Sequence, residues 1–332
     1  MANRAGTERP AVDPIPFEEL EKVVLPLITI AEDARWHPVG TAFVVGTPEP
    51  KRALLLTAAH NLVYVQERID EPWRHHHPAA PREFLPTPAE RINLRRTRVY
   101  ALLVLPSGSI LAEMVEGWFH NDLDVALLLV TIRPDQDAAF PAQLALDTRP
   151  IATGVPVMAV GYPAMRADFS EPPDYGAEHF RVKLDLNLVY RTGTVTALRP
   201  QGEGIHRWPG FLVNFALDSG MSGGPIIDLS GESPVVRGIV GGDLSESPDD
   251  GTRGSAAHAF AELLWPAMII KTPINVAARP DEPPHTTDAS LLDLARYGII
   301  DDRGRAHEHV RIDPLGDGRG RIWWDPGPNT SS

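Results

Sequence analysis

The sequence predicts an all-β protein. Its apolar segments are strand-length and rich in Val, Leu and Ile, and clusters of Gly, Pro, Asp and Ser separate them. No segment carries a long helical period before residues 288–300, where Leu291, Leu294 and Ile299 can share one apolar face of a helix. These two observations indicate a β-sandwich or β-barrel architecture with a short helix near the C-terminus.

Ten segments have the composition of strands. They are short, apolar and bounded by turn residues, which favours strands over helices. In chain order they cover residues 23–30, 40–45, 53–56, 99–105, 124–132, 156–161, 189–197, 210–216, 225–228 and 235–240.

Three polar stretches interrupted by proline are predicted to be insertions or linkers, at residues 67–91, 245–254 and 277–287. The tail from Asp313 onward is rich in glycine and has little apolar content to build a core, apart from Ile322 and two tryptophans. We expect its two tryptophans, Trp323 and Trp324, to dock on the body of the chain or on a partner protein.

The composition limits the class of protein and of partner. With 332 residues, of which 43% are hydrophobic, the chain is long enough for two domains with cores of ordinary size. The formal net charge of -13 disfavours nucleic acid and anionic membranes as partners. The absence of cysteine suits a reducing compartment, and the first ten residues lack the apolar run of a signal peptide. We therefore expect a cytoplasmic protein.

A glycine-rich turn presents a candidate nucleophile. In the segment Asp-Ser-Gly-Met-Ser-Gly-Gly-Pro, residues 218–225, glycines lie on both sides of Ser222 and an apolar Ile-Ile pair follows. Glycines permit the unusual dihedral angles that aim backbone N–H groups at a developing oxyanion. A serine hydroxyl also needs a positioned base to accept its proton during attack.

The best candidate for that base among twelve histidines is His60. It ends the segment Leu-Leu-Leu-Thr-Ala-Ala-His, in which an apolar strand runs into small residues and then a histidine. This pattern predicts an imidazole at the end of a strand, facing a cleft.

These motifs resemble those of the trypsin-like serine peptidases. The Thr-Ala-Ala-His segment that ends at His60 is similar to the histidine motif of that family, and the glycine-rich turn around Ser222 is similar to its serine motif. The segment Asp-Leu-Asp-Val-Ala-Leu-Leu, residues 122–128, is similar to its acidic motif. By this resemblance Asp124 is the acid that orients the histidine, with Asp122 as the alternative.

The resemblance covers roughly residues 20–275 and implies two six-stranded antiparallel β-barrels with the active site between them. It implies a serine endopeptidase in which Ser222 attacks the substrate, His60 acts as base and then as acid, and Asp124 holds the histidine tautomer. The backbone N–H groups of Gly220 and Ser222 would form the oxyanion hole. No cofactor is expected for this chemistry.

The implied domain organisation places two triad residues in the first barrel and one in the second. Residues 1–19 form an N-terminal arm, residues 20–145 the first barrel with His60 and Asp124, residues 146–275 the second barrel with Ser222, and residues 276–332 a linker, helix and tail. The expected partner is a protein or peptide substrate. A regulatory protein that acts through the C-terminal extension is a further expectation.

The order of the motifs separates this fold from the α/β-hydrolases, whose nucleophile also lies in a Gly-x-Ser-x-Gly pattern. Those enzymes run Ser, acid, His with a helix after the serine, whereas here the order is His60, Asp124, Ser222 with a strand following. Met221 stands where animal trypsins carry the aspartate that pairs with a new N-terminus. In this difference and in its absence of cysteine, the sequence resembles the bacterial Deg-type and glutamyl-endopeptidase-like branches. We therefore predict that the native N-terminus is dispensable for activity.

The specificity pocket is predicted by analogy with the family. Ala216 and Leu217 would lie at its base, and the segment 238–243 resembles the strand that pairs with the substrate backbone, with Gly241 and Gly242 leaving the rim open. The segment 256–260 resembles the last pocket strand.

Two side chains leave the charge preference of that pocket open. His258 inside the pocket would favour an acidic residue before the cleaved bond, but a small or apolar pocket with His258 packed in its wall is the favoured alternative. Asp243 would instead attract a basic side chain. No metal site is expected, because the adjacent His75, His76 and His77 lie in a proline-rich loop and have no completing ligands nearby.

Overall fold

The structure is a computed structural model of the 332-residue chain. It describes residues 16–31, 36–70, 90–105, 108–119, 123–168, 183–203, 206, 208–231, 233–243, 258–276, 285–316 and 319–326. Within these ranges, no helix has the length and apolar character that a membrane crossing requires.

The first half of the chain folds into a closed antiparallel barrel. Its strands are β1 (Val24–Ile30), β2 (Trp36–Glu49), β3 (Arg52–Thr57), β4 (Glu90–Arg91), β5 (Arg98–Leu105), β6 (Gly108–Phe119) and β7 (Ala126–Ile132). Six of them form a ring in the order β6-β5-β1-β2-β3-β7, which the pairing of β6 with β7 closes. The two-residue β4 is added to the side of β6.

The second half forms a second closed antiparallel barrel. Its chain segments are β8 (Pro156–Gly161), β9 (Arg166–Asp168), β10 (Lys183–Asp185), β11 (Val189–Arg199), β12 (Gly210–Val213), β13 (Pro225–Asp228), β14 (Val235–Asp243) and β15 (Ala259–Leu263). The ring order is β11-β12-β15-β14-β13-β8, while β9 and β10 pair only with each other. The predicted fold class, two six-stranded antiparallel barrels, is confirmed.

The continuous apolar runs of the sequence arise because several strands are buried on both faces. In β3, Leu55 belongs to an apolar cluster confined to the first barrel, whereas Leu54 and Leu56 belong to a cluster shared with the second barrel. Successive side chains of a strand point to opposite faces, so a strand between two cores must be apolar at every position. The Leu-Leu-Leu run before the histidine motif therefore fixes β3 between the two barrels.

Short helices connect and follow the barrels. They are α1 (Phe17–Leu20), α2 (Ala59–Tyr64) with a π-helical turn at Val65–Asp70, a 3-10 helix at Trp265–Ile269, α3 (Leu291–Arg296) and α4 (Ala306–His309). The helix predicted at residues 288–300 is shorter than expected, because Ser290 caps it. Its hydroxyl accepts a hydrogen bond from the backbone N–H of Asp293, whose carboxylate accepts one from the backbone N–H of Ser290.

The C-terminal extension contains two hairpins that the sequence analysis did not predict. One pairs β16 (Lys271–Val276) with β17 (His285–Ser290), and the other pairs β18 (Val310–Gly316) with β19 (Arg319–Trp324). The linker predicted at residues 277–287 was therefore wrong for residues 285–287, which belong to β17. Ile322, one of the few apolar residues of the tail, is buried.

The extension packs against both barrels. Ile300 forms a β-bridge with Gly46 of β2, and Asp302 forms one with Leu146, in the segment that joins the barrels. The backbone N–H of Leu146 donates to the carbonyl of Asp301 at 2.7 Å, and the backbone N–H of Arg303 donates to the carbonyl of Leu146 at 2.8 Å. Trp324 stacks on His309 and packs against the shared core, which agrees with the expectation that this tryptophan docks on the body of the chain.

Candidate active site

A histidine and a carboxylate form a closely coupled pair at the end of β3. His60 lies in the first turn of α2, and its Nδ1 is 2.6 Å from Oδ2 of Asp124. Its backbone N–H also donates to Oδ1 of Asp124 at 2.8 Å. Each carboxylate oxygen therefore accepts one hydrogen bond from the same residue, which fixes the imidazole relative to Asp124.

The position of Asp124 follows from local structure. The first N–H groups of a helix lack partners inside the helix, and the carboxylate of Asp124 accepts one of them from α2. The Asp124 side chain is 6% exposed, whereas 47% of the His60 side chain remains exposed to the cleft. Burial lowers the pKa of His60, but the charge of Asp124 and its hydrogen bond together outweigh burial, so that the pKa of His60 is raised above 6.5.

Ser222 lies in the same cleft as this pair. The cleft has a volume of about 350 Å³, and its lining includes His60, Asp124 and Ser222. The Ser222 hydroxyl lies 3.4 Å from the carbonyl oxygen of Gly241. Gly241 is the extra residue at a register shift between β14 and β15, and a bulge of this kind turns a backbone carbonyl out of the regular ladder.

The backbone of Ser222, the candidate nucleophile, is hydrogen-bonded to residues of the first barrel. The carbonyl oxygen of Ser222 accepts hydrogen bonds from the backbone N–H of Thr41 at 2.9 Å and from Nδ2 of Asn61 at 3.0 Å. Asn61 follows His60 in α2 and also donates to the hydroxyl of Thr57. The two barrels are thus linked by hydrogen bonds at the residues that carry the candidate base and nucleophile.

The turn before Ser222 is held by hydrogen bonds and by the packing of the apolar side chain of Met221. Gly220 has a φ of +98°, and its carbonyl oxygen accepts a hydrogen bond from the Thr41 hydroxyl at 2.8 Å. The same hydroxyl oxygen accepts one from the backbone N–H of Tyr162. Met221 is fully buried in the shared core, so apolar packing anchors the turn at the position where trypsins use an aspartate.

Comparison with known families agrees with this geometry. The sequence model of the trypsin-like peptidase domain family matches residues 40–239, which include His60, Asp124 and Ser222. The chain belongs to the trypsin-like peptidase family. No curated protein sequence matches it significantly.

Two solved structures are similar to this chain at low sequence identity. The MamO protease domain from Magnetospirillum magneticum (apo form) is 15% identical, with 75% of this chain and 95% of that chain covered and a TM-score of 0.42. Deg5 is 16% identical, with coverages of 76% and 92% and a TM-score of 0.41.

Of the other predicted site residues in this family member, some line the cleft and others do not. Leu217, Gly241 and Gly242 line the cleft, together with Asp218 and Ser219. Ala216 is exposed and is not among the described residues that line the cleft, and its place at the base of a specificity pocket stays a prediction.

The two residues that bear on charge preference contribute no described side chain to the cleft. His258 is half-buried directly before β15 and is not among the described lining residues. The side chain of Asp243 lies outside the described part of the chain, as do Asp122 and the three adjacent histidines His75, His76 and His77.

Three residues of the cleft region were missed by sequence reasoning. His206 and Trp208 line the cleft, and the carboxyl group of Glu262 lies behind Gly241. Glu262 carries the one available signal, since it is a single acidic residue in the apolar strand Ala-Phe-Ala-Glu-Leu. His206 and Trp208 lie in an irregular segment between β11 and β12, where no local pattern indicates a role.

One group of side chains has the donor types of a cation site. Among the described residues, Asp124, His206 and Glu262 place one ligand atom each within 4.8 Å of one another. Both oxygens of Asp124 already accept hydrogen bonds from His60. A cation at this position would therefore compete with His60 for the carboxylate.

Replacing Gly220 with alanine is expected to reduce catalytic turnover about 100-fold or more by misplacing the turn that carries the N–H groups of Gly220 and Ser222. A Cβ at Gly220 would lie 2.7 Å from the carbonyl oxygen of Tyr162, in a backbone conformation that L residues rarely adopt. Gly154→Ala is the matched control, because Gly154 also has a positive φ but open space around its Cα. Equal loss of turnover in both variants would contradict this prediction.

Proposed function

We propose that this chain is a serine endopeptidase that hydrolyses peptide bonds through an acyl-enzyme intermediate. Ser222 is the nucleophile, His60 is the general base and then the general acid, and Asp124 orients and stabilises the histidine. The backbone N–H groups of Gly220 and Ser222 bind the developing oxyanion. The cytoplasm is the proposed location, on the ground that a chain without cysteine suits a reducing compartment.

The observation that carries this proposal is the pairing of His60 with a buried carboxylate beside an accessible serine. A hydrogen bond of 2.6 Å between Nδ1 and Asp124 directs the Nδ1 proton to the carboxylate. The other ring nitrogen, Nε2, is then unprotonated in the neutral imidazole and can accept a proton. Ser222 lies in the same cleft and has a partly exposed side chain, so its hydroxyl is available to this base.

The chemistry follows in two half-reactions. The Ser222 oxygen forms a bond to the scissile carbonyl carbon while its proton passes to Nε2 of His60, and the carbonyl oxygen becomes an oxyanion. Collapse of this intermediate breaks the C–N bond, and His60 returns the proton to the leaving amine. Water then repeats the sequence on the acyl-enzyme and releases the carboxylic acid and the free serine.

The direct test is reaction with a fluorophosphonate probe, which labels a serine only when the serine is activated. We expect the full-length protein to be labelled and His60→Ala to remain unlabelled at the same concentration of folded protein. The peptide that carries the label, identified by mass spectrometry, should contain Ser222. An unlabelled, folded wild-type protein would instead indicate a catalytically silent binding domain.

Peptide hydrolysis is expected to rise with pH as His60 loses its proton. The pKa of His60 is raised above 6.5 by Asp124 despite burial, so kcat/KM should fall as the pH is lowered through a midpoint above 6.5. The measurement is a pH profile of kcat/KM with a chromogenic peptide. A profile that stays flat down to pH 5 would be inconsistent with His60 as the base.

The substrate class that fits the family is a protein or peptide. A partner protein that regulates the activity through the C-terminal extension remains a prediction. It is compatible with the packing of α3 and the β18–β19 hairpin, because Tyr297, directly after α3, and Ile312, in β18, keep large apolar side chains exposed.

A further inference from the structure

A second carboxyl group lies buried behind the candidate active site. Glu262 is in the middle of β15 and is 1% exposed. Neither of its side-chain oxygens has a hydrogen-bond partner among the described residues. Nδ1 of His206 is 3.4 Å from Oε1 of Glu262, but without hydrogen-bonding alignment. A buried polar group without a partner is costly, so this carboxyl group calls for an explanation.

The absence of a side chain at Gly241 creates the space for this carboxyl group. A Cβ at Gly241 would lie 2.5 Å from Oε1 of Glu262. The carbonyl oxygen of the same Gly241 accepts the hydrogen bond of the Ser222 hydroxyl. One carboxyl oxygen of Glu262 also lies within 4.8 Å of an oxygen of Asp124. Glu262 therefore lies next to Gly241, which contacts the proposed nucleophile, and close to Asp124, the acid of the proposed triad.

The proton of this pair belongs on Glu262. Two ionised carboxylates at this separation in a buried site would repel each other strongly, so that one of them binds a proton. Asp124 accepts two N–H hydrogen bonds from His60, which favour its charged form, whereas Glu262 accepts none from the residues that the structure describes. Burial, and then the charge of Asp124, raise the pKa of Glu262 well above its ordinary value.

His206 does not supply a compensating positive charge. It is 5% exposed, and its ring stacks on Phe260 with the centroids 4.6 Å apart. Burial lowers the pKa of His206, and the proximity of His60 lowers it further, while the charge of Asp124 opposes both. A neutral imidazole beside Glu262 leaves the carboxyl group in its acid form.

We propose that Glu262 is a positioning residue whose protonated carboxyl group donates a hydrogen bond to Asp124, directly or through one bridging water. This inference rests on the proposed function, because it assigns the support of the acid in that triad. The hydrogen bond holds the Asp124 carboxylate in addition to the two that it accepts from His60, and it withdraws part of the negative charge of Asp124. It also satisfies the otherwise unpaired O–H group of Glu262.

Two variants of similar size separate this role from simple packing. Glu262→Gln keeps a donor that can reach Asp124, whereas Glu262→Leu fills the space without one. We expect the glutamine variant to keep kcat/KM close to that of the wild type, and the leucine variant to lose about 10- to 100-fold, the range for a hydrogen bond to a charged group. Equal activity of the two variants would overturn the proposal.

The pKa of His60, measured by NMR with labelled histidine and assigned with His60→Ala, gives a readout that does not depend on turnover. Without a donor to Asp124, the carboxylate attracts the imidazolium more strongly, so that Glu262→Leu should raise the pKa of His60 and Glu262→Gln should leave it unchanged. If Glu262 were ionised in the wild type, both variants would remove a negative charge and lower the pKa of His60.

The two readouts also distinguish failure of this inference from failure of the proposed function. A wild-type protein that the fluorophosphonate probe does not label would refute the peptidase activity, whatever the variants do. A labelled wild type combined with a lowered pKa of His60 in Glu262→Gln would refute the role of Glu262 alone. The glutamine variant decides this point even if the leucine variant fails to fold.

Discussion

Replacing Ser222 with alanine is expected to reduce peptide hydrolysis by at least about a thousandfold, because the variant lacks the hydroxyl on which the proposed acyl-enzyme forms. The fold should be unchanged, since among the described residues the hydroxyl makes one long hydrogen bond, of 3.4 Å to Gly241. The backbone groups that join the barrels at this residue, including the carbonyl bound by Thr41 and Asn61, are retained in the variant.

The other two triad residues should show losses that do not add. His60→Ala removes the base, and Asp124→Asn presents an amide to Nδ1 and so favours the wrong histidine tautomer, with an expected loss of about 10⁴-fold. Once one member is missing, removing a second should change the rate little, because the three residues act as a unit. The measurement is kcat for the single and double variants, with thermal unfolding recorded for each.

Asp122→Asn is the control for the choice of acid. Asp124 forms both carboxylate contacts to His60, and so we expect Asp122→Asn to keep near-wild-type turnover. Loss of activity in Asp122→Asn, with full activity in Asp124→Asn, would reassign the acid. Additive losses in the double variants would argue against a single cooperative site.

The parts of the fold and site that depend on local sequence were predictable. The strands at residues 156–161 and 225–228 have the predicted bounds, because apolar runs flanked by turn residues define both ends. The proximity of His60, Asp124 and Ser222 was indicated by three short motifs, each of which has a characteristic local pattern.

Strand β6 was not predicted because its pattern is weaker. It carries Glu113 and Glu116 at partly exposed positions and Gly117 at a buried one, and it becomes a strand by pairing with β5 and β7. Tertiary pairing of this kind overrides local propensity.

The missed site residues have a similar cause. The position of Glu262 behind Gly241 depends on the bulge between β14 and β15, and no local motif specifies which residue of β15 faces it. The specificity residues proposed by analogy, Ala216 and His258, depended on the same kind of long-range placement. The sequence therefore indicated the candidate catalytic residues better than their surroundings.

Deleting the C-terminal extension after Thr272 is expected to prevent folding of the barrels. Leu291, Leu294 and Ile300 are at most 1% exposed and belong to the core that the two barrels share. Burial of each such side chain contributes about 1.5–3 kcal/mol, so their loss removes a large part of a total stability of about 5–15 kcal/mol. The truncated chain should be insoluble or lack a cooperative unfolding transition by circular dichroism.

A pair of isoleucines in the extension tests the same point without truncation. Ile300→Ala should lower the free energy of unfolding by about 2–5 kcal/mol, whereas Ile312→Ala should change it by less than about 0.5 kcal/mol. The two positions differ in burial, at 1% and 53% exposed, but not in residue type. A truncated protein that is soluble, unfolds at the wild-type temperature and still reacts with the fluorophosphonate probe would show that the extension is dispensable for the fold, and would leave regulation as its role.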